Sequence, residues 1–228
     1  MKKKVVLLTG AGVSAESGVP TFRDNDGLWE NHNIEEVCTP QGFKKNPEKV
    51  LNFYNMLRNK LKSIYPNQAH IFITELETKY DVSIITQNVD PLHEMAGSTN
   101  VIHIHGELLK SRSTKDPSKL YEIKEDLKVG DKCELGSQLR PHIVWFTEQI
   151  YNMSKSHELI HDADIIIIVG TSLQVFPASD MIDWARTKQI YYVDPADSPL
   201  KLKNKPYIKH IKEVASKGML IVKNELLK

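Results

Sequence analysis

The 228-residue chain carries 30 basic and 29 acidic side chains, a formal net charge of +1, and 40% hydrophobic residues. That is the balance of a globular protein with length enough for a sizeable core, and it provides no overall field for nucleic acid or an anionic membrane surface. No apolar run approaches membrane-spanning length, and two cysteines, Cys38 and Cys133, cannot build a disulfide framework, so a reducing, cytoplasmic setting without nucleic-acid or membrane partners is expected.

Met1-Lys2-Lys3-Lys4 precedes an apolar stretch, but Val5–Leu8 is only four residues long, too short for the core of a signal peptide. It reads as a buried first strand. It runs into Thr9-Gly10-Ala11-Gly12-Val13-Ser14, a small-residue turn of the kind that lets a pyrophosphate approach backbone N–H groups at a helix N-terminus. Residues 28–74 read as helical and polar-faced. A second strand, Val82–Thr86, leads into Gln87-Asn88-Val89-Asp90, and a third, Val101–His105, follows closely. Residues 107–141 are rich in Lys, Asp, Ser and Gly with little periodicity. Further strands are expected at Ile143–Phe146, Ile165–Val169, Ile190–Val193 and, more weakly, Tyr207–Ile211. The continuous β-branched run at Ile165–Val169 suits a central strand covered on both faces, and it ends in Gly170-Thr171-Ser172.

Strands alternating with helical patterns give an α/β class: a Rossmann-like parallel sheet with helices on both faces, built from residues 1–27, 75–106 and 142–228. The stretches 28–74 and 107–141 break the alternation and read as two insertions forming a smaller module. In an open parallel sheet the carboxyl ends of the strands face one crevice, so the amide, carboxylate and imidazole of Asn88, Asp90 and His105 can converge on one small molecule. Taken one at a time these residues have plainer readings: a glycine turn is often only a tight connection, Asn and Asp after a strand are common helix caps, and a lone His is often structural.

Their joint order carries more. Gly10-Ala11-Gly12-Val13-Ser14-Ala15-Glu16-Ser17-Gly18-Val19-Pro20-Thr21-Phe22-Arg23 is followed by Thr86-Gln87-Asn88-Val89-Asp90, by Leu92-His93-Glu94 with Ala96-Gly97, and by His105-Gly106-Glu107. Arg140-Pro141-His142-Ile143-Val144-Trp145-Phe146 and Gly170-Thr171-Ser172 complete the set. Together these closely resemble the sirtuins, NAD-dependent protein-lysine deacylases. The match runs in order over nearly the whole chain, and its first block is far more specific than a lone glycine fingerprint. The short single-unit length is most similar to the bacterial-type class that includes desuccinylating sirtuins.

The resemblance implies transfer of a lysine acyl group to the ADP-ribose of NAD, with release of nicotinamide. It implies that Asp90 holds the nicotinamide carboxamide, Asn88 the ribose and a water, and Gln87 the ribose, with Val89 beside them. His105 would be the general base that takes a proton from a ribose hydroxyl, a task suited to an imidazole titrating near neutrality. Gly10, Ala11, Gly12 and Arg23 would cradle the phosphates, Arg23 as a charge-assisted clamp, while Phe22 shields the ribose and Gly170, Thr171 and Ser172 line the far side. Asp194, ending the Ile190–Val193 strand, would accept from adenosine ribose hydroxyls. Substrate would add as a β-strand between Val144-Trp145-Phe146 and Leu173-Gln174-Val175-Phe176. His93 and Glu94 are expected to brace a helix capped by Asp90, and His103 to face away from the crevice.

The chain departs from the family pattern at several places. Where many sirtuins carry two Cys-x-x-Cys pairs for a structural zinc, the matching positions are Ser113, Asp116, Cys133 and Gly136, which cannot supply four N or S ligands. No zinc is expected, and Cys133 is read as an ordinary small apolar residue in a module held by packing. Desuccinylating relatives bind the acyl carboxylate with Tyr-x-x-Arg; here Tyr54 is kept, Leu57 takes the arginine place and Arg58 comes one residue late, about 100° around a helix. With Cys38 small, the pocket is expected to favour neutral acyl groups. Pro91 follows the Asn-Val-Asp block directly, and Thr147 stands where glycine usually follows Trp-Phe. Two other readings keep the NAD site: an ADP-ribosyltransferase or NAD glycohydrolase, and a non-catalytic sensor, against which Asn88, Asp90 and His105 argue.

Overall fold

The computed structural model describes residues 1–21, 28–29 and 32–228. In chain order its elements are β1 (Lys4–Thr9), β2 (Leu28–Trp29), β3 (His32–Asn33), α1 (Ile34–Val37), α2 (Pro40–Lys45), α3 (Pro47–Leu61), α4 (Gln68–Leu76), β4 (Asp81–Thr86), α5 (Leu92–Met95) and β5 (Val101–His103). Then come β6 (Gly106–Ser113), β7 (Leu120–Glu122), β8 (Leu139–Ile143), α6 (Met153–His161), β9 (Ile165–Val169), β10 (Ile190–Val193), α7 (Leu200–Lys203), β11 (Ile208–Ile211) and α8 (Ala215–Leu226). Among the described residues no helix is long and apolar enough to cross a membrane.

Six strands form one parallel sheet in the order β11-β10-β9-β1-β4-β5. The chain leaves β1 for β4 and β5 on one side, then returns to β9, β10 and β11 on the other, so the order reverses between β1 and β9. That reversal opens a crevice at the carboxyl ends of the two strands. Alternate residues supply the two faces. Val5, Leu7, Ile84 and Ile167 pack against Ala69, Ile73 and Leu76 of α4 and Met219 and Val222 of α8. Val6, Leu8, Ile85, Ile166 and Ile168 pack against Ile160 of α6 and Met181 and Ile182 of a 3₁₀ segment, Ala178–Trp184. Every residue of β9 is buried, which is why its run is apolar at both parities. Each such side chain contributes about 1.5–3 kcal/mol relative to exposure.

Helix α4 starts on a capping box: Asn67 Oδ1 accepts from Ala69 N at 2.8 Å, and His70 Nδ1 accepts from Asn67 N at 3.3 Å. Its buried face belongs to the core of the main sheet, so the packing puts residues 68–74 with the sheet and not with the insertion that 28–74 outlined. The remaining helices of that stretch are delimited by caps, Thr39 with Pro40 opening α2 and Asn46 with Pro47 opening α3.

Residues 107–141, which lack periodicity, nevertheless contribute to a three-stranded antiparallel sheet in the order β7-β6-β8. The reason is local: β6 buries Ser111, Arg112 and Ser113 and has a register shift between Glu107 and Ser111, so no apolar alternation is left to read. The expected strand Ile143–Phe146 is displaced to Leu139–Ile143 and belongs to this small sheet. The expected Val101–His105 strand ends at His103, although Ile104 N still donates to Thr86 O at 3.0 Å. The small sheet and α3 share a cluster of Val50, Phe53, Tyr54, Leu57, Leu108 and Trp145.

After β8 the chain is pinned on both sides: Val144 N donates to His105 O at 2.9 Å and Phe146 N to Cys38 O at 3.0 Å. Glu148 accepts from Trp145 N at 2.8 Å and pairs with Arg112 at 3.0 Å and Arg140 at 2.7 Å. Thr147, between these anchors, has φ +76. A β-branched residue in this left-handed region is strained by about 1–3 kcal/mol, whereas glycine is not. Thr147→Gly should therefore raise unfolding stability by about 1 kcal/mol, some 2–4 °C in thermal midpoint for a chain of this size, after the extra chain entropy of glycine is offset. A lower midpoint would show that the threonine side chain makes contacts worth more than the strain.

Candidate active site

The turns after β1 and β9 touch backbone to backbone. Gly10 N donates to Val169 O at 3.2 Å and Gly12 N to Gly170 O at 2.8 Å. A Cβ on Gly12 would lie 2.7 Å from Gly170 Cα, and one on Gly170, which has φ +66, would lie 2.2 Å from Val13 N. These glycines are thus required first by the contact between the two turns. Ala11 and Val13 form a 3₁₀ turn, and Asn67 holds it from α4, donating through Nδ2 to Val13 O at 2.8 Å and Ser17 Oγ at 3.0 Å. Asn67 escapes a sequence reading because its visible signal is only that of a helix cap. On the β9 side Thr171 is buried, its Oγ1 accepting from Gln87 Nε2 at 3.1 Å, and Ser172 is half-buried beside it. Phe22 and Arg23 lie outside the described residues.

At the end of β4, Asn88 and Asp90 meet over a residue whose role no motif reading singled out, Ser14. Asn88 Nδ2 donates to Ser14 Oγ at 3.1 Å, and Ser14 Oγ donates to Asp90 Oδ2 at 3.1 Å. Asp90 Oδ1 accepts from Leu92 N at 3.1 Å, opening α5, and Asn88 N donates to Thr86 Oγ1 at 3.0 Å. All three of Ser14, Asn88 and Asp90 are more than nine-tenths buried. Burial pushes the Asp90 carboxyl up, against the hydrogen bonds from Leu92 N and Ser14. Val89 points the other way: its side chain packs against the small-module cluster and its carbonyl accepts from Leu108 N at 2.8 Å.

His105 Nδ1 lies 3.0 Å from Gln87 O. A carbonyl only accepts, so Nδ1 carries the proton and Nε2 presents a lone pair. Burial pushes this imidazole below its ordinary range, with the Gln87 carbonyl opposing, so the neutral form is favoured. His103 was expected to face away. Residues two apart on a strand share a face, and His103 Nδ1 indeed reaches the next carbonyl, Asn88 O, at 2.9 Å. Its Nε2 meets Glu94 at 2.7 Å. His93 is buried with Nε2 3.1 Å from Thr9 Oγ1, in the bracing position expected of it.

Beyond His105 lies the cluster where the expected acyl pocket falls. Tyr54 is fully buried, its hydroxyl accepting from Trp145 Nε1 at 2.9 Å and facing Cys38 Sγ at 3.5 Å. Leu57 shares that apolar cluster. Arg58 does not: it is buried on another face of α3, where Nη2 donates to Asn55 Oδ1 and Asn55 in turn bonds both backbone groups of Leu127. Burial lowers its guanidinium to about 10, with Asp126 opposing. Val144 is half-buried, while Phe146 and Val175 are 46% and 44% exposed. Asp194 is 2% exposed, and its Oδ1 accepts from Ala196 N at 2.9 Å, an Asx turn that shapes its own loop.

In the small sheet, Ser113 Oγ and Ser137 Oγ lie 2.8 Å apart, with Cys133 Sγ 3.5 Å and 3.2 Å from them. Hydrogen bonding to Ser113 and Ser137 pulls the Cys133 thiol down to about 6. Cys133 therefore sits among hydroxyls and is not the plain apolar residue expected. The Asp116 carboxylate turns instead to Ser118, 2.6 Å from its hydroxyl. Among the described residues no group of three or more His, Cys, Asp or Glu could hold a metal ion.

Residues 10–177 match the Sir2 family. An NAD-dependent protein deacylase of Helicobacter pylori (strain ATCC 700392 / 26695) is 54% identical over 194 residues, covering 85% of each chain, and one of Bacteroides thetaiotaomicron is 43% identical over 232 residues, covering 99% of this chain and 98% of that one. The crystal structure of a Sir2 homolog–NAD complex superposes with a TM-score of 0.86 at 38% identity, covering 99% of this chain and 90% of the other. A matching family over more than half the chain, relatives of this identity and the shared fold lead to one statement: the chain belongs to the Sir2 family.

Proposed function

We propose that this protein removes acyl groups from lysine side chains of proteins in an NAD-dependent reaction, releasing nicotinamide and O-acyl-ADP-ribose, in the cytoplasm. The observation that carries the reading is the neutral His105, its Nδ1 proton committed to Gln87 O and its Nε2 lone pair available, beside the buried Asn88–Ser14–Asp90 chain. NAD supplies the ADP-ribose that accepts the acyl group. The donor set suits it: Gln87, Asn88 and Asp90 for the nicotinamide riboside end, the turns at Gly10–Gly12 and Gly170–Ser172 for the phosphates, with Phe22 and Arg23 from the same family block, and Asp194 toward the adenosine end. His105 takes a proton from a ribose hydroxyl. The bond from Gln87 O to Nδ1 keeps the tautomer correct for that transfer.

Acyl-lysine substrate enters as an added strand between Val144-Trp145-Phe146 and the segment at Val175. The exposed Phe146 and Val175 are the open edges of such a slot. The helices α1 to α3 and the small sheet of β6, β7 and β8 form the module that carries the substrate side. We read the hydroxyl cluster of Ser113, Cys133 and Ser137 as the replacement for a zinc knot, since one thiol and two hydroxyls are a poor ligand set.

Three outcomes test this. His105→Ala should lower deacylation about 10²- to 10⁴-fold, as loss of a positioned general base does, while NAD binding by calorimetry persists. Wild-type turnover in that variant would overturn the role. Because Leu57 occupies the arginine place and Arg58 is turned toward Asn55, acetyl-lysine or longer neutral acyl-lysine peptides should exceed succinyl-lysine in kcat/KM, and Leu57→Arg should raise desuccinylation selectively. A wild-type preference for succinyl-lysine that vanishes in Arg58→Ala would contradict this. Elemental analysis should find far less than one zinc per chain, with chelator leaving activity and thermal midpoint unchanged.

A further inference from the structure

His103 is 9% exposed and makes two short contacts, Nδ1 to Asn88 O at 2.9 Å and Nε2 to Glu94 Oε1 at 2.7 Å. A carbonyl and a carboxylate can only accept, so both ring nitrogens donate and the ring is an imidazolium. Together with His105, just beyond the end of β5, it grips two successive carbonyls, those of Gln87 and Asn88. Asn88 is thereby held at three points, its N by Thr86, its side chain by Ser14 and its carbonyl by His103.

We propose that His103, charged by its pairing with Glu94, is a positioning residue for acyl transfer: it keeps the loop Asn88–Asp90 in register with His105. This rests on the reading above that Asn88, Asp90 and His105 meet the reacting groups. The charges around the ring agree. Burial disfavours the cation, but Glu94 of α5 outweighs it through hydrogen bond and charge, with Asn88 O and Glu107 of β6 adding to it, so the net shift is upward. Asp90 feels the same cation, His93 of α5 stays neutral next to it, and Lys110 of β6 lies close to Glu94. A group whose folded value is raised keeps its charge below its ordinary range and loses it as pH rises through the raised value. On that alkaline side the remaining ring proton stays on Nε2, facing the Glu94 carboxylate, so Nδ1 turns a lone pair toward Asn88 O and the clamp on Asn88 is lost.

The test is the pH dependence of kcat and peptide KM for NAD-dependent deacylation of an acetyl-lysine peptide, between pH 6 and 10, in the wild type and three variants. Glu94 is 41% exposed, so Glu94→Gln leaves the fold intact even if His103→Ala does not. Expected are an alkaline fall in wild-type kcat, displacement of that fall to lower pH in Glu94→Gln, and a kcat about 10-fold lower or more at all pH in His103→Ala, the cost of a misplaced group, with KM little changed. His103→Gln, which donates to Asn88 O without titrating, should recover much of kcat and flatten the alkaline limb. Profiles of Glu94→Gln and His103→Gln that overlay an active wild type, or effects confined to KM, would overturn the positioning role alone. A wild type that releases no acyl group with NAD would overturn the functional reading and this inference with it.

Discussion

The structure depends on the close approach of the two turns that follow β1 and β9. At the reversal point of a parallel sheet, neighbouring strands diverge and leave a crevice, and here its floor is set by the hydrogen bond from Gly12 N to Gly170 O. No side chain fits between them: a Cβ at either glycine would press on the backbone of the other turn. The contact fixes the height of the 3₁₀ turn at Ala11–Val13, and through it the position of Ser14. Ser14 in turn bridges Asn88 and Asp90, so the turn after β1 and the loop after β4 form one hydrogen-bonded unit.

From that unit, connections run outward to the small module. Val89 is apolar between two polar residues, and it buries its side chain on the module while its carbonyl receives Leu108 N. His105 O receives Val144 N, which starts the segment that carries Trp145. Trp145 then donates to Tyr54, and Glu148 ties its backbone to Arg112 and Arg140. A half-buried Glu between two buried arginines is weak evidence of net stability, because desolvation offsets the attraction, but it specifies one arrangement of the groups it holds. Here it holds the backbone at Trp145, directly after β8, against the small sheet.

Where the chain departs from its family, local chemistry compensates in different ways. In the small sheet, Ser113, Ser137 and Cys133 satisfy one another in a cluster of two hydroxyls and one thiol. On α3, one helical position turns Arg58 into the bonding network of Asn55 and Leu127, while Leu57 leaves an apolar surface next to Tyr54. Burying an unpaired carboxylate against that surface would be costly.

The sequence by itself determined the α/β class, the strands with runs of β-branched residues, and the ordered motifs that mark the family, because each of these is a local pattern of period, turn chemistry or residue type. It did not reveal the small antiparallel sheet, since β6 buries Ser111, Arg112 and Ser113 and so lacks the alternation that identifies a strand. It placed α4 with the insertion, although α4 is covered by α8 from the far end of the chain. Nor did it show Ser14 between Asn88 and Asp90, Asn67 behind the turn after β1, or His103 on Asn88 O. Those bonds join residues 15 to 76 positions apart. Periodicity reports only which face a residue takes; which buried donor meets which acceptor is decided when the strands and loops are brought together.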